Sequence, residues 1–584
     1  MSMRPVPLPD PDPVIAAAIR KKYARREPPL AVAMRDHLGA WMQDEDFAEA
    51  FGSRGRRGES PAMLAMVLVL KHAEGKTDRE AAEAVRTDLD WLYALGLPLD
   101  DEGFDFSVLS EFRERLAGHG MEEKVLDALL SKLQEDGLVK PGGKQRTDST
   151  HVLANARELH AFELITESVR AALEALAASC PGWLTSRICV SDWERRYGLR
   201  TASWSSPRPK SRTKRDELAV ARAADGYALV SACYEDSAPP WARDIPAVQV
   251  LRTVLVQNFT VTTDDQGREV TIRREHGQET GVPPAHLRIE SPYDPGARRG
   301  AKDDFTWLGY KLHITETCDG PPACGCPGDG ARCPHDVRPN LITHAATTDA
   351  TVADVTMTLP IARDLHEKNR APARQYEDSG YASARNILDA AGLYGITLIT
   401  PLARDPSRQA REGNGYDRAS FTVDYDARTV TCPQGQATTR WSQTADRGRT
   451  VINVEFPAAA CRACPARPQC TTSQKRGRTM KLPERELYEI QAAARADQDS
   501  KDWWQDYQRR AGCEATMSQA IAATGIRRTR YRGLAKVHLD HCLSAAAVNV
   551  IRLCAYWSGT PISRTGNRTS RLSMLAQQDQ ALAA

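Results

Sequence analysis

The periodicity of the chain changes at Lys144, and that change sets the order of its parts. Upstream, apolar residues recur at helical spacing. Ser60-Pro61 pairs a capping residue with proline at a first helical position and opens an apolar helix over 60–70. Thr77-Asp-Arg-Glu80 has capping-box spacing and opens a second, carrying Ala81, Ala84, Val85, Leu89 and Leu92. A third covers 107–116, with Leu109, Phe112 and Leu116 on one face. Short helices joined by tight turns fit a DNA-binding helix-turn-helix, and they fit a plain helical bundle equally. At 144–153 (Lys-Gln-Arg-Thr-Asp-Ser-Thr-His-Val-Leu) the alternating, β-branched pattern predicts a strand with Asp148 in its middle.

Beyond that strand, helical periodicity returns over 155–260. Strands are expected at 259–263, 269–273, 307–315, 341–345 and 396–399, with a helix at 352–367 between the last two. Residues 415–480 read as hairpins plus a cysteine-rich loop, and 482–522 as a helix broken near Gly512. This order predicts an α/β unit built on a mixed sheet with large inserts, behind an all-helical N-terminal unit. The division expected is a helical domain over 1–140, an α/β domain over 141–557 with inserts at 155–260 and 415–480, and a disordered tail over 558–584.

A chain of 584 residues exceeds what one core ordinarily organises. Hydrophobic residues at 41% and charged residues at 26% describe a globular protein, and the longest apolar run, 63–70, falls far short of a membrane span. With no signal-peptide layout at the N-terminus, a cytoplasmic protein without a membrane partner is expected. The net charge of +2 is uninformative, but basic clusters at 208–215 and 527–536 could grip phosphates or simply face solvent.

Three acids stand out. Asp148 lies mid-strand, where burial is costly without a partner or a task. A strand-end carboxylate accepting backbone hydrogen bonds explains it as well. Asp378, in Glu-Asp-Ser-Gly-Tyr, is placed for the carboxyl edge of a sheet, where open α/β sheets hold their sites, or for an ordinary turn. Tyr507, Arg510 and Glu514 have the spacing of one helical face, and an Arg510–Glu514 surface pair satisfies that spacing too. Among competing acids, Asp294 reads as a turn, Asp349 and Asp354 as helix starts, and Asp303 and Asp304 as loop.

The sequence Tyr507-Gln-Arg-Arg510-Ala-Gly-Cys-Glu514 resembles the Y-x2-R-x3-E signature of bacterial insertion-sequence transposases of the DDE class. Phe106-Ser-Val-Leu-Ser-Glu-Phe-Arg113, Thr147-Asp-Ser-Thr150, Trp307-Leu-Gly-Tyr-Lys311, Asp378-Ser-Gly-Tyr381 and Arg530-Tyr-Arg-Gly-Leu-Ala-Lys536 extend the likeness, in order, over about 60–557. The resemblance implies an RNase H-like catalytic domain in which Asp148, Asp378 and Glu514 converge on two Mg²⁺ ions, with Mn²⁺ able to substitute. It further implies cleavage and strand transfer at terminal inverted repeats, with double-stranded element ends and target DNA as partners and a homodimer or larger assembly on them. Tyr507, Arg510, Arg527 and Arg528 are the implied DNA contacts.

Two positions depart from the pattern. Ile521 stands where the signature carries lysine, and the stretch before Asp378 (Arg374-Gln-Tyr-Glu377) is polar for a central strand. A decayed copy acting as a DNA-binding regulator, or an RNase H-like nuclease without strand transfer, are the alternatives.

Fourteen cysteines without an export signal are expected to be reduced. Cys432, Cys461, Cys464 and Cys470 fall in the 415–480 insert. A four-thiolate structural Zn²⁺ and a metal-free loop-rich unit both fit their spacing. Cys318, Cys324, Cys326 and Cys333, with His335, crowd a Gly/Pro-rich loop that a metal could organise.

Overall fold

The computed structural model describes residues 2–559 apart from 53, 157–158, 202–210, 275–282, 303, 320–337 and 447. Expectations for the tail, for Arg208 and for Cys324, Cys326, Cys333 and His335 therefore lie outside the described residues.

The central sheet contains β1 (Lys144–Leu153), β4 (Arg298–Lys302), β5 (Phe305–Thr317), β6 (Ile342–Asp349), β7 (Arg374–Tyr376) and β8 (Thr397–Ile399). A separate hairpin of β2 (Phe259–Thr263) and β3 (Glu269–Arg273) lies between β1 and β4 in sequence. β1 pairs antiparallel with β5 on one edge and parallel with β7 on the other, and β8 continues parallel beyond β7. β4 and β6 pair antiparallel with successive parts of β5. The expected mixed, RNase H-like sheet is present, and the expected β1 boundaries coincide with the strand.

Gly309 explains why the Trp-Leu-Gly-Tyr-Lys stretch keeps a glycine. β5 approaches β1 so closely there that a Cβ would stand 2.0 Å from the Val152 carbonyl oxygen. Any larger residue would force the two strands apart.

Upstream of β1 the chain is helical. Ser60 caps the helix Pro61–Glu74 by accepting the Met63 N–H at 3.2 Å, and Thr77 and Glu80 form the capping box of Asp78–Thr87. Pro61–Glu74 is apolar around most of its circumference and is buried from Pro61 to His72, as a helix without a polar face must be. Its partner is the last helix, Leu534–Trp557, which also packs on β6. One hydrophobic core consequently runs from Leu8 through the sheet to Leu553, so the N-terminal helices close on the C-terminal one. The helices Ala161–Ser179, Arg212–Cys233 and Pro246–Asn258 enclose a second core within the first insert.

Leu534–Trp557 also closes the outer edge of β6. The Asn549 side chain accepts the Ile342 N–H and donates to the Ile342 carbonyl, both at 2.8 Å. Just over two turns away, His541 is fully buried and contacts Thr347 Oγ1 of β6 at 2.7 Å.

Burial lowers the His541 imidazole from 6.5 to about 4; the neighbouring Asp540 opposes this and His538 adds to it. His541 is thus neutral in the fold and gains a proton on unfolding. Stability should fall as pH drops from 6.5 toward 4 and level off below. His541→Gln is expected to flatten that limb by about 1.4 kcal/mol per pH unit, measured by urea denaturation across the window.

Candidate active site

The parallel register of β1 and β7 brings the first two acids together. Arg146 pairs with Tyr376, so Asp148 and Asp378, each two residues farther along, lie at the same level, Asp148 still within β1 and Asp378 past the end of β7. Asp148 is buried and accepts the Ser149 N–H at 2.8 Å. Asp378 lies just past the end of β7 and accepts the Gly380 N–H at 2.8 Å. The local turn and the sheet-edge placement are both realised at that residue.

The third acid arrives on a segment more broken than its sequence suggested. Leu482 ends a strand, β13 (Thr479–Leu482). The helices Arg485–Gln498 and Lys501–Tyr507, a 3-10 turn Gln508–Ala511 and the helix Gly512–Thr524 follow. Tyr507, Arg510 and Glu514 therefore do not share one helix. Tyr507 closes a helix and stacks on Trp503 at 5.0 Å, Arg510 occupies the 3-10 turn, and Glu514 lies in the first turn of the next helix.

Arg510 nevertheless joins all three acids. One guanidinium nitrogen donates to Asp148 Oδ2 at 2.7 Å and stands 3.7 Å from Asp378 Oδ2; another lies 3.6 Å from Glu514 Oε1. Burial raises the Asp148 carboxyl above its ordinary value; Arg510 and the Ser149 N–H offset part of the rise, and Asp378 adds to it. For Arg510, burial opposes the charged form, but Asp148 and Asp378 outweigh it and hold the guanidinium higher than usual. The Tyr507 phenol is pushed up to about 12, chiefly by burial. Three carboxylates from separate elements, converging on a single cation, form a site that favours positive charge.

Two stretches of the chain match known family models. Residues 431–554, which include the Glu514 helix, match a transposase DDE domain, and residues 22–115 match a transposase domain (DUF772). These two matches indicate an insertion-sequence transposase of the DDE class. No curated protein and no solved structure matches the chain. Asp148 and Asp378 lie outside both matched stretches, so geometry alone joins them to Glu514.

The polar strand before Asp378 has a structural reason in this chain. Gln375 donates to Thr147 Oγ1 at 3.1 Å and to Glu377 Oε1 at 2.8 Å. Tyr376 donates to Asp506 at 2.9 Å, and Arg374 pairs with Asp506 at 3.0 Å. Glu377 is completely buried and accepts from Thr358 Oγ1 at 3.0 Å. Burial raises its carboxyl to about 8, against the Thr358 and Gln375 hydrogen bonds and with help from Asp378. The strand trades apolar contact for hydrogen bonds to β1 and to the Lys501–Tyr507 helix. Its sequence gave no sign of those partners.

Asp354, expected only to start a helix, begins a 3-10 turn. It also accepts from Ser149 Oγ at 2.9 Å and pairs with Lys311 at 3.0 Å, beside the two aspartates. Asp294 is a buried structural acid that accepts from Tyr310 OH at 2.7 Å and the Gly533 N–H at 3.1 Å. Arg527 reaches Thr150 Oγ1 of β1 at 2.8 Å, while Arg528 is exposed next to it. Ile521, at the departing position, packs against the main core.

The cysteines of the second insert gather as well. Cys432, Cys461, Cys464 and Cys470 are free thiols lining one cavity of about 30 Å³. Burial raises the Cys470 thiol; Arg478 opposes the rise, and Cys461, Cys432 and Cys464 add to it. Among the described residues, no three His, Cys, Asp or Glu side chains are grouped tightly enough to hold a metal ion as they stand. Among them, too, no helix is long and apolar enough to cross a membrane.

What holds the Glu514 helix against the sheet is Glu316 of β5, which is 0% exposed. It accepts from Arg146 Nε, Arg552 and Thr516 Oγ1, each at 2.7 Å. Glu316→Ala leaves two guanidinium groups without their anion and is expected to destabilise the fold by about 3–5 kcal/mol. Equilibrium denaturation measures the loss.

Proposed function

We propose that this transposase cleaves the ends of its own element at terminal inverted repeats and joins them to target DNA, with Asp148, Asp378 and Glu514 as the catalytic carboxylates. The convergence of these three acids on Arg510 carries the proposal. Carboxylate oxygens are the donors that Mg²⁺ or Mn²⁺ prefer, and the cluster already draws a positive charge into its centre. Asp148, Asp378 and Glu514 would hold two such ions, whose chemistry is to lower the barrier at the attacking and leaving oxygens of phosphoryl transfer.

The chain's own groups do the rest. Arg510 offsets the mutual repulsion of the acids and lies within reach of a phosphate beside them, where its planar fork suits two phosphate oxygens. Tyr507 borders the same place. Arg527 and Arg528 follow the Glu514 helix along β1 and extend the basic track. The N-terminal helices, to which we assign recognition of the element ends, share a core with the sheet. DNA held by them would therefore be fixed relative to the acids rather than tethered through a linker. Paired ends call for a homodimer or larger assembly.

Glu514 is the acid to test, because its side chain is 75% exposed and its replacement should not disturb the fold. In a nicking assay on labelled duplex carrying the element's flanking sequence, with Mg²⁺ or Mn²⁺, the wild type is expected to cut at the repeat boundary. Glu514→Gln should lose at least about 100-fold, since removing even an indirect partner of a metal ligand costs 10–100-fold. Equal cutting by both proteins would reject the catalytic assignment. Binding without cutting by either would favour a DNA-binding regulator.

A further inference from the structure

The second insert ends as a small unit with little apolar mass. Its strands are β9 (Thr422–Asp424), β10 (Thr429–Thr431), β11 (Arg440–Asp446), β12 (Arg449–Glu455) and β13. Its fully buried apolar side chains amount to a short cluster around Phe421, Val454, Phe456 and Leu482. A core of this size is marginal unless something cross-links it.

The four thiols sit where a cross-link would act. Cys432 lies in the turn after β10. Cys461 belongs to the short helix Ala458–Ala463, Cys464 caps it, and Cys470 ends the helix Arg467–Cys470. All four are half-buried and reduced, and all line the same cavity. We propose that Cys432, Cys461, Cys464 and Cys470 form a structural four-thiolate Zn²⁺ site that fastens the turn after β10 to the two short helices.

Three further observations support a metal over a plain cysteine cluster. The Gln436 N–H donates to Cys432 Sγ at 3.3 Å, a contact that fixes where the sulfur points. The turn making it is closed by the Gly435 N–H on the Cys432 carbonyl at 2.8 Å, with Gly435 at φ +76°. Cys470 is pinned from two sides, its carbonyl accepting from Gln409 at 2.8 Å and from Arg478. Finally, four thiolates around a divalent ion retain a double negative charge, and Arg467 and Arg478 line the cavity to offset it.

Four sulfurs must reach about 2.3 Å from one point, closer than the thiols stand here. The four cysteines stand on a turn and two short helices around a cavity of about 30 Å³, and metal binding would draw these elements together. A closed thiolate shell leaves no position for water or substrate, so the site is structural. Its mechanical load is the helix Arg485–Gln498, which leads toward Arg510 and Glu514. That helix is attached to this unit by Tyr488 against Tyr425, 5.6 Å between rings, and by Arg485 on Asp426 at 2.8 Å.

This inference does not depend on the carboxylate assignment, because metal content alone reads it. Full-length transposase purified without chelator is expected to carry about one zinc per chain, measured by elemental analysis and released by a mercurial thiol reagent. Cys432→Ser and Cys464→Ser should lose it, whereas Cys189→Ser, at an exposed thiol elsewhere, should keep it. Cobalt exchanged into the wild-type chain should give the thiolate charge-transfer and intense visible bands of a tetrahedral four-sulfur site. Zinc below about a tenth of an equivalent in wild type, full zinc retained by both serine variants, or iron in place of zinc would each overturn the proposal.

Discussion

The site geometry depends on one buried carboxylate. Glu316 sits in β5 with no exposure to water, and an isolated anion there would be prohibitively costly. It is tolerated because Arg146 of β1, Thr516 of the Glu514 helix and Arg552 of the last helix all donate to it at 2.7 Å. Arg146 also donates to the Arg509 carbonyl at 2.7 Å, next to Arg510. Five elements are thereby held at one point, and Gly512 is the residue that lets them meet: a Cβ there would stand 1.9 Å from the Arg146 guanidinium. This junction, together with the Arg510 contacts and the packing of Met517 and Ala520 in the main core, fixes the Glu514 helix relative to the strands bearing the aspartates.

Much of the architecture was legible because local signals and tertiary demands agree. The Ser60-Pro61 start, the Thr77–Glu80 box and the β1 boundaries are set by short-range capping and alternation. Asp148 and Asp378 were separately ambiguous. The ordered motifs that resemble a transposase made them candidates, and the register of β1 on β7 brings them to one level.

What stayed hidden depends on distant partners. The run over 485–524 was expected to break near Gly512, and it does so at the 3-10 turn 508–511; the further break at 499–500 and the exact geometry depend on tertiary contacts. Trp503 stacking on Tyr507 and Asp506 holding Tyr376 are among those contacts. Gln375 and Glu377 looked unfit for a central strand until their hydrogen-bond partners, Thr147 and Thr358, were in place. The shared core of the N-terminal helices and the C-terminal one was invisible for the same reason: periodicity gives a helix's apolar face and says nothing of what covers it.

Asn549 has a consequence for how copies of this chain can associate. A sheet's outer strand normally offers a row of unpaired amides on which a second sheet can grow. Here the Asn549 amide takes both outward groups of Ile342, imitating at that point the strand that would otherwise dock. The terminal helix lies along β6 behind it. Partners arriving on that side meet helix rather than backbone, so β6 is closed to growth by strand addition. Growth of this sheet by an added strand is thereby turned away from β6 and left to its other edges, β4 and β8.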